Sequence, residues 1–110
     1  MAANNYAMLL SELNRFEEVK TLMRKTISVA RRVLGENHEI TLRMRRNYAE
    51  ALYKDASSTL DDLREAVTTL EEIEPIMRRV FGSAHPLTVD IEQDLINARG
   101  ALADREMGYA

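Results

Sequence analysis

Val33-Leu34-Gly35-Glu36-Asn37-His38-Glu39-Ile40-Thr41 returns 47 residues later as Val80-Phe81-Gly82-Ser83-Ala84-His85-Pro86-Leu87-Thr88. In both stretches an apolar pair precedes Gly, His follows three residues on, and Thr three after that. A second recurrence lies upstream of each. Asn5-Tyr6-Ala7 with Leu10 comes back as Asn47-Tyr48-Ala49 with Leu52, at an offset of 42. Self-similarity at a fixed spacing of about 20–50 residues is the signature of a repeat architecture. The two offsets differ by five residues, so the second unit carries a five-residue insertion between Leu52 and Val80. The polar, turn-prone stretch Asp55-Ala56-Ser57-Ser58-Thr59 is the natural place for it.

Between these landmarks the apolar residues recur at helical spacing. Tyr6, Leu9, Leu10 and Leu13 predict a helix over 3–13, with a short turn at Asn14-Arg15. Phe16, Val19, Leu22, Met23, Ile27, Ala30, Val33 and Leu34 predict a second over 16–34. Gly35 suits a left-handed helix end, and Arg31 and Arg32 sit in the last turn, where the helix dipole favours cations. A third helix is expected over 39–54. The fourth, over 59–81, is capped by Ser58 or Thr59 with Asp61 and Asp62 at capping-box spacing. Pro75 lies inside it and is expected to bend it without ending it. Pro86 fits the first turn of a fifth helix over 86–106. The fold expected is all-α: an α-solenoid of about two and a half helix-turn-helix units and five helices. It forms one domain over 1–110, with units at 3–38, 39–85 and 86–106. The first unit lacks the segment that precedes the others, so it implies either a longer array or packing on another copy.

Composition narrows the function. The chain is 45% hydrophobic and 30% charged, the balance of a folded soluble domain. A net charge of −3 opposes nucleic-acid binding, which needs a concentrated excess of Lys and Arg. With no cysteine, disulfides, thiolate nucleophiles and Cys-based zinc sites are excluded. No apolar run reaches the length that membrane insertion requires. Met1-Ala2-Ala3-Asn4-Asn5 lacks the basic and apolar regions of a signal peptide. A reducing intracellular compartment, the cytoplasm, is expected.

These residues resemble the tetratricopeptide repeat, in the long-period variety found in kinesin light chains. There a Leu-Gly-x-x-His-Pro-x-Thr-Leu segment leads into a helix carrying Asn-Asn-Leu-Ala. The counterparts are Leu34-Gly35-x-x-His38-x-x-Thr41-Leu42 before Asn47-Tyr48-Ala49, and Phe81-Gly82-x-x-His85-Pro86-x-Thr88 before Asp94-Leu95-Ile96. Asn4-Asn5-Tyr6-Ala7 matches the helix segment of the first unit, and Phe16-Glu17-Glu18-Val19 the start of a second helix. The sequence departs from the pattern at Glu39 (for Pro), Asn14 (for Gly), the insertion and Pro75.

The resemblance implies a concave groove lined by the first helix of each unit, holding an extended peptide of a partner protein. The positions that fall there are Asn4, Asn5 and Met8, then Arg43, Arg46, Asn47 and Glu50, then Asp90, Gln93, Asp94 and Asn97. A carboxamide both donates and accepts, so it can pair with any peptide backbone. Arg43 and Arg46, one turn apart, suit an acidic group; Asp90 and Asp94 suit a basic one. The plainer reading makes Arg43, Arg45 and Arg46 a solvated face paired with Glu39 and Glu50. The alternative function is self-association as a homo-oligomer with no peptide ligand. A lipid or nucleic-acid surface at Arg24, Lys25, Arg31 and Arg32 is the weakest reading.

No enzyme is expected, since no nucleophile, base and oxyanion donor come together. His38 and His85 recur at equivalent loops, which points to a structural task done twice. Glu71-Glu72-x-Glu74 lacks the loop a calcium site needs. No metal and no cofactor is expected.

Overall fold

The structure, a computed structural model, describes the backbone of residues 2–108 and the side chains of residues 14–108. The described residues form four helices: α1 (Ala2–Val33), α2 (Glu39–Lys54), α3 (Leu60–Phe81) and α4 (Pro86–Glu106). No strand occurs among the described residues. The all-α class is as expected, and the arrangement fits a helical repeat. The count of five helices is corrected to four. The expected turn at Asn14-Arg15 does not form, and the helices expected over 3–13 and 16–34 are one continuous α1. The physical reason is that no glycine or proline interrupts this stretch. Arg is a good helix former, and Asn in a helix interior costs only about half a kcal/mol against Ala. At a rise of about 1.5 Å per residue, a helix of this length spans nearly 50 Å, in line with the longest extent of 51 Å.

The two recurrent stretches build the same joint twice. Gly35 and Gly82 end α1 and α3 with φ of 97° and 92°, a region that side chains resist. His38 and His85 then cap α2 and α4. Each accepts at Nδ1 from the backbone N–H two residues on, Ile40 and Leu87, both at 3.1 Å. The histidines therefore satisfy helix ends, as their repetition implied. Thr41 and Thr88, both fully buried, each donate Oγ1 to a carbonyl of the preceding helix, Ala30 and Met77, at 3.4 Å. Every one of these partners is 47 residues from its counterpart, so the sequence repeat is a repeat of bonds.

Gly82→Ala is expected to cost about 1–3 kcal/mol, the usual strain of a side chain in this backbone region. Nothing lies within 4 Å of a Cβ added at Gly82 or at Gly100, so neither substitution causes a clash. Gly100 sits inside α4, where alanine should instead gain about 0.5–1 kcal/mol. Chemical denaturation of the two variants should show shifts of opposite sign.

α3 begins with the expected capping box. Thr59 accepts from the Asp62 N–H at 3.1 Å, and the Asp62 carboxylate accepts from the Thr59 N–H at 3.0 Å. The helix runs through Pro75 without ending. It packs between α2 and α4, while α1 packs on α2. Leu42 and Leu52 of α2, Leu70, Ile73 and Met77 of α3, and Ile91 of α4 are fully buried. Their spacing on each helix is the stripe that solvent-exposed polar residues leave free.

Candidate functional site

α2 and α4, the helices expected to line a groove, lie against each other. Their contact is polar. The Asp94 carboxylate, 5% exposed, accepts from Arg46 Nε and from the Tyr53 hydroxyl, both at 2.7 Å. Arg46 also reaches Glu50 at 3.3 Å, and Glu50 takes a bond from Lys54 at 2.9 Å. Burial opposes the Arg46 charge, but Asp94 outweighs it and holds the guanidinium pKa above its usual value. Burial pushes the Tyr53 phenol up, and the Asp94 charge adds to the shift. These groups form a neutralised clasp between two helices.

Around this clasp the other expected residues face outward. Arg43 is half-exposed and meets Glu39 one turn back, at 3.5 Å. Asn47 is exposed on α2. Asp90, Gln93 and Asn97 are exposed on α4, with Gln93 donating to Asn97 at 3.0 Å. The structure thus brings Arg46, Glu50 and Asp94 together and leaves Arg43, Asn47, Asp90, Gln93 and Asn97 at the surface. Asn4, Asn5 and Met8 lie outside the described side chains. Arg45, read as part of a solvated face, is instead buried and paired with Glu72 of α3. Tyr53 was not singled out in the sequence. Its only signal was its position seven residues after Arg46, two turns along the same helix face.

A cavity of about 550 Å³ lies between α1, α2 and α3, lined in part by Arg24, Arg31, Arg32, Arg45 and Tyr48. Its cations are largely neutralised. Arg24 binds Glu65 at 3.0 Å and the Tyr48 hydroxyl at 2.6 Å, Arg31 binds Glu36, and Arg45 binds Glu72. That pairing removes the excess positive charge a phosphate-rich surface would need. Beside it, a buried ion pair ties α1 to α3. Lys20 Nζ lies 3.1 Å from Asp62 Oδ1 and 4.6 Å from the centre of the Phe16 ring. Burial works against both charges, yet the partners win. Bonds from the Thr59 N–H and from Lys20 hold the Asp62 carboxyl below the usual carboxylate range. Bonds to Glu17 and Asp62 hold Lys20 above the usual amine value.

Among the described residues no group of three or more His, Cys, Asp or Glu side chains is placed to hold a metal ion. No helix among them is long and apolar enough to cross a membrane. No curated protein and no solved structure matches the chain. The family model of the tetratricopeptide repeat matches residues 1–39, a segment that holds Asn5-Tyr6-Ala7 and Gly35 with His38, and this match supports a repeat protein of the tetratricopeptide type with a role in protein–protein interaction.

Proposed function

We propose that this chain is a scaffold that holds an extended segment of a partner protein along the α2–α4 face. The module belongs to the long-period, kinesin-light-chain-like variety of tetratricopeptide repeat. The observation that carries the reading is the row of exposed polar side chains flanking the Arg46–Asp94 clasp. Arg46, Tyr53 and Asp94 satisfy one another and set the spacing of the two helices. Asn47, Gln93 and Asn97 present carboxamides, which can pair with peptide N–H and C=O groups whatever the peptide sequence. Arg43 meets an acidic ligand side chain, and Asp90 a basic one. The Arg43–Glu39 pair is solvated and weak, so a ligand carboxylate can replace Glu39 at little cost. The reading requires no catalytic residue, metal or cofactor. The expected location is the cytoplasm.

The test is selection from a random peptide library displayed on phage, followed by calorimetry with the selected peptide. Arg43→Ala combined with Asn97→Ala is expected to weaken that peptide by about 1–3 kcal/mol, the scale of unpaired hydrogen-bond partners. The thermal melt should stay unchanged, because both side chains are exposed. A double variant that binds as tightly as the parent chain refutes the groove.

A further inference from the structure

We propose that α1 pairs with α1 of a second copy of this chain, residues 3–13 of each copy covering an apolar seam on the other. The seam is Val19, Leu22, Thr26, Val29 and Val33, spaced alternately three and four residues apart, as on a helix that packs lengthwise on another. Val19 is 45% exposed, Leu22 65%, Val29 47% and Val33 69%. The 47-residue repeat shows what should lie on this seam. Val19 and Thr26 correspond to Ala66 and Ile73 of α3, which are fully buried; Leu22 and Val29 correspond to the half-buried Thr69 and Ile76, and Val33, at the end of the seam, to the exposed Val80. α3 has α4 on one side and α2 on the other. α1 has α2 where α3 has α4, and no described helix where α3 has α2.

An open groove marks the missing position. It holds about 210 Å³ and is lined by Leu22, Met23, Thr26, Ile27, Met44 and Asn47. The counterparts of Met23, Thr26, Met44 and Asn47 are Leu70, Ile73, Ile91 and Asp94, all buried in the α2–α3–α4 stack. The segment equivalent to α2 is residues 3–13. By the 42-residue offset its Tyr6, Ala7 and Leu10 correspond to Tyr48, Ala49 and Leu52, all core residues. Its eleven residues make a helix of about 16 Å, and Val19 to Val29 spans about 15 Å.

The segment's own copy of the seam is out of reach. Within one continuous helix, residues 3–13 lie ahead of residues 16–33 along the axis and cannot fold onto them. α2 reverses into α3 through the five residues 55–59, whereas only Asn14-Arg15 separates the corresponding segments of α1, and short connections favour exchange between copies over a tight reversal. A second α1 laid antiparallel places each 3–13 segment on the other's seam. The pairing is symmetric and closed, so it stops at two copies. Of the residues assigned to the peptide, only Asn47 lines the open groove; Arg43, Asp90, Gln93 and Asn97 do not, and the pairing rests on α1 alone.

Light scattering on the full chain is expected to give twice the chain mass at high micromolar concentration. The chain has no cysteine, so Leu10→Cys with Leu22→Cys, which face each other when 3–13 lies antiparallel along 19–29, reports the pairing directly. Oxidation should link two chains on a non-reducing gel. Leu22→Asp with Val29→Asp, both at exposed positions, should raise the dimer dissociation constant at least about 100-fold by placing charges in an apolar seam. Helicity at 222 nm should be retained. A wild-type monomer, a disulfide within one chain, a dimer that does not cross-link, or a dimer that survives both aspartates overturns the proposal.

Discussion

Asp62→Ala is expected to destabilise the fold by about 3–5 kcal/mol, the cost of leaving a buried charge without its partner. Three losses coincide. Lys20, 5% exposed, keeps its charge but loses its buried partner and retains only the exposed Glu17 carboxylate at 2.9 Å. The Thr59 N–H at the start of α3 loses its acceptor, which alone is worth about 1 kcal/mol at a helix N-terminus. The buried tie between α1 and α3 is cut, leaving the more exposed Arg24–Glu65 pair. Lys20→Met in the Asp62→Ala background should recover part of the loss, since an apolar side chain there needs no partner. Urea denaturation of the three variants checks both expectations. The same pair predicts an acid weakness. Asp62 has a folded pKa below its unfolded value, so its contribution is full above the ordinary carboxylate range, near pH 4, and is lost as pH falls through the depressed value. Asp62→Asn should flatten that part of the stability–pH curve.

Leu70→Ala should cost about 2–5 kcal/mol, the range for truncating a fully buried leucine. Leu70 has no exposed surface and sits on α3, the one helix packed against both α2 and α4. A cavity there loosens two interfaces at once, and rigid helices close it poorly. Leu22→Ala is the informative contrast. It deletes the same atoms from a residue 65% exposed and should change the stability of the separate chain by no more than about 0.5 kcal/mol. Equal losses in the two variants would mean that α1 and α3 are not the differently covered helices described above.

What could be read in advance follows the range of the interactions. The joints were legible because their bonds are local. Gly35 with His38, and Gly82 with His85, act within a few residues of one another, and their meaning survives without a tertiary structure. The capping box at Thr59 and Asp62 is equally local. The break at Asn14-Arg15 was misread because both residues accept a helix or a turn. Periodicity alone does not encode the choice between them. Arg43, Arg46, Asn47 and Glu50 lie on α2 and Asp90, Gln93, Asp94 and Asn97 on α4, yet their roles are not separable in the sequence. Arg46 and Asp94 are 48 residues apart, and only the relative rotation of α2 and α4 turns them into partners. Arg45 looked like its neighbours Arg43 and Arg46 and is instead buried against α3 for the same reason.

The central claim is that the α2–α4 face holds an extended peptide. It is tested most directly by amide chemical-shift mapping of the ¹⁵N-labelled chain titrated with a peptide selected from the random library. The account predicts that perturbations cluster at Arg43, Asn47, Asp90, Gln93 and Asn97 and on the turns of α2 and α4 that carry them. Perturbations confined to the arginine-lined cavity at Arg24, Arg31 and Arg32, with α4 silent, would contradict it.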